Sequence, residues 1–108
     1  MKKQQYLPQR VTSELERIGA GIRTARTRRR MTQAELAERV GTTFHTVSKM
    51  ERGAPGTSVG LYMKALWVLG LLEGLGRVAD PAADEEGLIL EAARAPKRVR
   101  AKQVSNDF

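Results

Sequence analysis

The chain reads as an all-α protein, and three observations say so. Apolar residues recur at intervals of three and four along most of its 108 residues, with no strand-like alternation strong enough to assign. Ser/Thr residues stand three places before glutamates at the starts of apolar stripes, the spacing of helix capping boxes. Glycines then follow the stripes, where helices stop.

In order, Met1 to Thr12 is polar, contains Pro8 and is expected to be a flexible arm. A first helix is expected from Ser13, capped with Glu16, with Leu15, Ile18, Ile22 and Ala25 on its inner face. Its outer face is rich in arginine and ends in Arg28, Arg29 and Arg30. Thr32 and Glu35 open a short second helix, sealed by Leu36, Ala37 and Val40 and broken by Gly41. A third helix is expected from Phe44 to Arg52 with Val47 and Met50 inward, ended by the loop Gly53, Pro55 and Gly56. A fourth runs from Ser58 to Leu69, with Leu61, Ala65, Leu66 and Leu69 inward and Gly70 beyond it. A short fifth helix is expected over Leu71 to Ala79, completing a domain from residue 13 to 79. Asp80-Pro81 marks a boundary. Residues 80–108 then hold an acidic patch, the apolar run Leu88, Ile89 and Leu90, and a basic tail.

Composition narrows the function. Net charge is +7, which draws the chain to polyanions; nucleic acid is one and a membrane surface another. There are no cysteines, so disulfides and thiolate zinc sites are excluded and a cytoplasmic location is expected. Lys2 and Lys3 are not followed by an apolar run, so no signal peptide is read at the N-terminus. Leu61 to Leu75 is too short and too interrupted to span a bilayer, so no membrane association is expected.

The informative stretch is Gln33 to Arg52. Two short helices cross closely only if the crossing residues are small and the turn is permissive, and Ala37 and Gly41 supply both conditions. With Leu36, Val40, Val47 and Met50 inward, Phe44, His45, Thr46 and Lys49 are left on the outer face of the second of these helices. Such a helix fits a DNA major groove, where polar and methyl contacts discriminate bases. For His45, the chain's one histidine, a structural or merely exposed role is the alternative, and for Lys49 a solvated surface lysine. Arg28, Arg29 and Arg30 stand just before Gln33 and are read as phosphate contacts or as a solvated face.

This stretch, IRTARTRRRMTQAELAERVGTTFHTVSKMERG, resembles the Xre/Cro-type helix-turn-helix family of phage repressors and bacterial regulators over about Ile18 to Leu72. The resemblance implies a five-helix, lambda-repressor-like domain with a basic C-terminal tail. It implies that Gln33 clamps a backbone phosphate with Thr43 beside it, and that Phe44, His45 and Lys49 fall on base-reading positions. It also implies that Arg26 and Glu51 form a buried ion pair. The sequence departs from the pattern at two places. Phe44 replaces a polar residue, so an apolar contact to a thymine methyl is expected there, and Arg30 stands where the family often has glycine.

The segments LYMKALWVLGLLEGL and ADEEGLILEAARAPKRVR are similar to the C-terminal half of Xre-type antitoxins that accompany HipA-like serine/threonine kinase toxins. The resemblance implies a homodimer that represses its own operon and neutralises such a kinase; a stand-alone, phage-type repressor is the rival. An RNA-binding or adaptor module is a third reading. No enzyme is expected, since no nucleophile–base pair or phosphate-cradling glycine loop is visible. No cofactor is expected, and Asp84, Glu85 and Glu86, with no histidine nearby, are not read as a metal site. Trp67 is read as core or dimer interface. The tail, with five basic and no acidic residues between Arg94 and Lys102, is left open among a phosphate-binding arm, a partner-binding segment and a solubilising one.

Overall fold

A computed structural model describes residues 6–94, and the described residues are all helical apart from turns and short connections. The expected arm falls partly and the basic tail beyond Arg94 wholly outside them. Contacts divide the chain into two compact units, the first ending at Glu73 and the second starting at Gly74, ahead of the Asp80-Pro81 boundary expected from the sequence.

The first unit holds α1 (Gln9–Arg28), α2 (Gln33–Val40), α3 (Phe44–Glu51) and α4 (Val59–Val68). The helix α1 opens one turn earlier than expected. Pro8 supplies the first acceptor, its carbonyl taking the Val11 and Thr12 amides at 2.9 and 3.1 Å, and no side chain caps the start. Ser13 and Glu16 therefore lie inside the helix, and residues 9–12 of the expected arm are its first turn. The other starts follow the sequence. Thr32 and Glu35 close a complete capping box on α2, Thr43 caps α3 through the Thr46 amide, and Ser58 caps α4 through the Leu61 amide.

The core is built from Ile22, Ala25, Met31, Leu36, Ala37, Val40, Val47, Met50, Tyr62, Ala65 and Leu69. Leu15 is only partly covered and Ile18 is exposed, because the core lies against the C-terminal half of α1. Leu61 and Leu66 of α4 pack against the core while staying partly covered. Trp67 is 62 % exposed, so it is not a core residue. The phenol of Tyr62 is buried instead, its one O–H shared between the Met50 and Ala54 carbonyls at 3.4 Å each, and burial pushes it above its usual pKa.

Backbones approach closely where α1 crosses the end of α3. A Cβ on Gly19 would sit 2.5 Å from the Met50 carbonyl oxygen and 2.7 Å from that of Glu51. Only a hydrogen fits there. The turn between α2 and α3 rests on Gly41, whose φ of 85° is the left-handed conformation that stops the helix. At the end of α1 the same role falls on Arg30. Met31 N–H reaches back to the Arg26 carbonyl and Arg30 N–H to that of Thr27, the double bond pattern of a Schellman stop, with Arg30 at φ 56°. A glycine would take this conformation without the strain that Arg30 carries.

Past α4, the expected fifth helix over Leu71 to Ala79 is instead a 3-10 helix, Leu72–Arg77, that crosses the division between the units. Gly74 and Gly76 within it weaken a regular α-helix. The second unit carries a one-turn 3-10 helix, Pro81–Ala83, capped by Asp80, and then α5 (Glu85–Arg94). No helix is expected there from the sequence pattern, so α5 is an addition to the expected elements. Asp84 starts it, its carboxylate accepting the Gly87 amide at 3.0 Å, with Glu85 and Glu86 in the favourable first turn.

Candidate nucleic-acid interface

The interface is organised by one buried carboxylate. Glu51, in the last turn of α3, accepts two hydrogen bonds from Arg26 of α1, Nε to Oε2 at 2.6 Å and Nη2 to Oε1 at 3.0 Å. Both residues are 8 % exposed. The third arm of Arg26, Nη1, donates to the Met31 carbonyl at 2.8 Å and so ties down the strained turn after α1. Such a planar, bidentate pair suits arginine's fork of donors and no other cation's.

Gln33 joins the same group. Its Nε2 donates to Glu51 Oε1 at 3.0 Å, across the crossing of α2 and α3. An amide nitrogen has two donors, and this bond engages one. The side chain is thus oriented by a charged acceptor while its second N–H remains for an outside acceptor such as a phosphate oxygen. A polar cleft of about 580 Å³ opens beside it, lined by Arg23, Thr32, Gln33, Ser48 and Arg52, with Arg26 and Glu51 beneath. Arg23 and Arg52 are exposed, and Arg52 Nη1 donates to Ser48 Oγ at 2.7 Å. A second cleft of about 470 Å³ flanks the other side of α3 between Lys49, Arg52 and the start of α4 at Thr57 and Ser58. Clefts lined by cations and hydroxyls at helix N-termini are what phosphate oxygens take.

The outer face of α3 is open. Phe44 is 54 % exposed, and His45 and Lys49 are exposed beside it. The Phe44 and His45 rings stack, centroids 5.0 Å apart. Thr46 is half-buried, its hydroxyl 3.2 Å from that of Thr43. The Thr43 hydroxyl also accepts the Thr46 amide at 3.2 Å, which holds the first turn of α3.

The three consecutive arginines do not act alike. Arg28 is exposed, Arg29 folds back to donate to the Ala25 carbonyl at 2.8 Å, and Arg30 makes the left-handed stop. Sequence reasoning passed over Arg23, Ser48 and Arg52. Their signal was spacing: Arg23 stands three before Arg26, and Ser48 and Arg52 four apart, which puts each pair on one helix face.

No helix among the described residues is long and apolar enough to cross a membrane, and they contain no group of three or more His, Asp or Glu that could hold a metal ion. No curated protein and no solved structure matches the chain. A family model described as "Helix-turn-helix domain" matches residues 17–84, more than half of the chain, and supports an Xre-like, DNA-binding regulator. The span takes in α1 from Arg17 onward, the α2–α3 pair, α4 and both 3-10 helices. The chain belongs to the helix-turn-helix domain family.

Proposed function

We propose that the chain is a sequence-specific transcriptional repressor that binds operator DNA as a homodimer. The observation that carries this reading is the open face of α3, with Phe44, His45 and Lys49 exposed beside a Gln33 amide held by Glu51. Gln33, Thr43 and the arginines Arg28, Arg29 and Arg30 are assigned to phosphates; Phe44, His45, Thr46 and Lys49 are assigned to base edges. One such helix reads only a few base pairs, so two copies on neighbouring half-sites are needed for a specific site. In support of a second copy, Val59, Met63 and Trp67 lie exposed at intervals of four along α4, facing away from the core.

The test is duplex binding over a range of salt. Gln33→Ala should weaken specific and random DNA alike and reduce the salt slope, whereas Lys49→Ala should cost about 1–3 kcal/mol and mainly on the preferred site. Structured RNA that competes as well as duplex DNA at equal salt would overturn the reading.

Within that class we propose the antitoxin role, an operon-repressing partner of a HipA-like kinase. Besides the resemblance of its C-terminal segments, α5 supports this by leaving Leu88, Ile89 and Leu90 exposed, an apolar surface that a simple repressor has no use for. Co-expression with the neighbouring gene product, tagging one chain only, is the experiment. A stable complex with a kinase supports the role; tight operator binding with no partner returns the protein to the stand-alone repressors.

A further inference from the structure

Two aromatic rings stand side by side on the first turn of α3. Their planes are 14° from parallel and their centroids 5.0 Å apart. Successive side chains of a helix diverge by about 100° around its axis, so neighbouring rings stack only when both lean together. Neither ring serves the core: Phe44 is 54 % exposed and His45 is exposed as well. Stacking keeps each ring from wandering, which leaves an apolar surface and a hydrogen-bonding edge in a fixed relation on the outer face of α3. Two nearly parallel rings from successive residues, 5.0 Å apart between centroids, are close enough for each to face one of two neighbouring base pairs, which stack at about 3.4 Å.

We infer that the Phe44–His45 stack reads one base step as a unit. Phe44 packs on the 5-methyl group of a pyrimidine, and an imidazole N–H of His45 donates to N7 of a purine in the neighbouring base pair. The inference rests on the DNA-binding reading above and names the chemistry recognised. The ligand is a 5-methylpyrimidine in duplex DNA, supplied either by thymine or by 5-methylcytosine. Methylation matters here: a cytosine at that position becomes acceptable once it carries the methyl group.

Preferred sites are first selected from a randomised duplex library. Deoxyuridine then replaces each thymidine in turn, deleting one methyl group and leaving every hydrogen-bonding edge intact. At one position of each half-site the wild-type protein should bind about fourfold more weakly, the equivalent of about 0.8 kcal/mol for one buried methyl-sized group. At the same position, a 5-methylcytosine–guanine pair should bind about fourfold more tightly than cytosine–guanine. Phe44→Ala should lose both differences, and His45→Ala should become insensitive to 7-deaza substitution of the adjacent purine. Because Phe44 is exposed, its truncation leaves the fold in place, which circular dichroism checks. Indifference of the wild-type protein to uracil at every position overturns the inference, as does an undiminished penalty in Phe44→Ala. A library from which nothing is enriched overturns the DNA-binding reading itself, a separate outcome.

Discussion

Replacing Glu51 by alanine should bring the first unit close to unfolding, although the residue lies at a helix end. Glu51 accepts two bonds from Arg26 and one from Gln33, with both charged groups 8 % exposed. In Glu51→Ala the guanidinium keeps only the Met31 carbonyl. A buried charge stripped of its partner costs about 3–5 kcal/mol. Native domains hold only about 5–15 kcal/mol in total, so a single change removes a large part of the stability. Glu51→Gln preserves the shape and an acceptor but removes the charge, and should cost about 1.5–3 kcal/mol. The double variant Arg26→Met/Glu51→Leu leaves no orphan charge and should be more stable than Glu51→Ala alone. Urea unfolding followed by far-UV circular dichroism measures all three; Trp67 fluorescence is a poor probe, since that ring is already 62 % exposed in the native state. A cost below about 1 kcal/mol for Glu51→Ala, or a double variant no more stable than Glu51→Ala, would refute the argument.

Three further outcomes are expected. Gly19→Ala should lower stability by about 1–3 kcal/mol in spite of alanine's better helix propensity, because its Cβ meets the Met50 and Glu51 carbonyls; an unchanged thermal midpoint would show that α1 and α3 separate freely. Arg30→Gly should stabilise by about 0.5–1 kcal/mol by relieving the left-handed φ of 56°, and should weaken DNA binding without altering sequence preference. Tyr62 has a folded pKa raised by burial, so its contribution is fully present below the unfolded value of about 10 and is lost as pH rises through the folded one. Wild-type stability should therefore fall more steeply above about pH 10 than that of Tyr62→Phe, and parallel profiles would contradict the assignment.

What the sequence made legible depended on side chains that signal their own role. Thr32 with Glu35, Thr43 and Ser58 each cap a helix through a hydroxyl, and the starts of α2, α3 and α4 follow from them. The start of α1 was hidden because Pro8 caps with its backbone, while Ser13 and Glu16 have capping-box spacing inside a continuous helix. The helix α5 was hidden for the opposite reason. Asp84 does cap it, but Gly87 in the first turn and the acidic cluster around it read as loop. Ile18 keeps the helical period of Ile22 and Ala25, yet periodicity cannot say how far along α1 the core extends. In the candidate site, the exposure of Phe44, His45 and Lys49 followed from pattern alone. The bond from Gln33 to Glu51, and the meeting of Arg23 and Arg52 at one cleft, join residues far apart in the chain, and no local spacing encodes them.

The burial of the Arg26–Glu51 pair separates two responses to ionic strength. Among the described residues the one other ion pair, Arg17–Glu14 at 3.5 Å, is a solvent-facing contact within α1. Added salt screens exposed charges and barely reaches a pair removed from water. The cations around α3 feel the full effect of released counterions, while the link that sets their positions does not. Salt thus tunes how tightly the protein holds DNA without loosening the protein, so it can be washed from a site by brine and return to it unchanged.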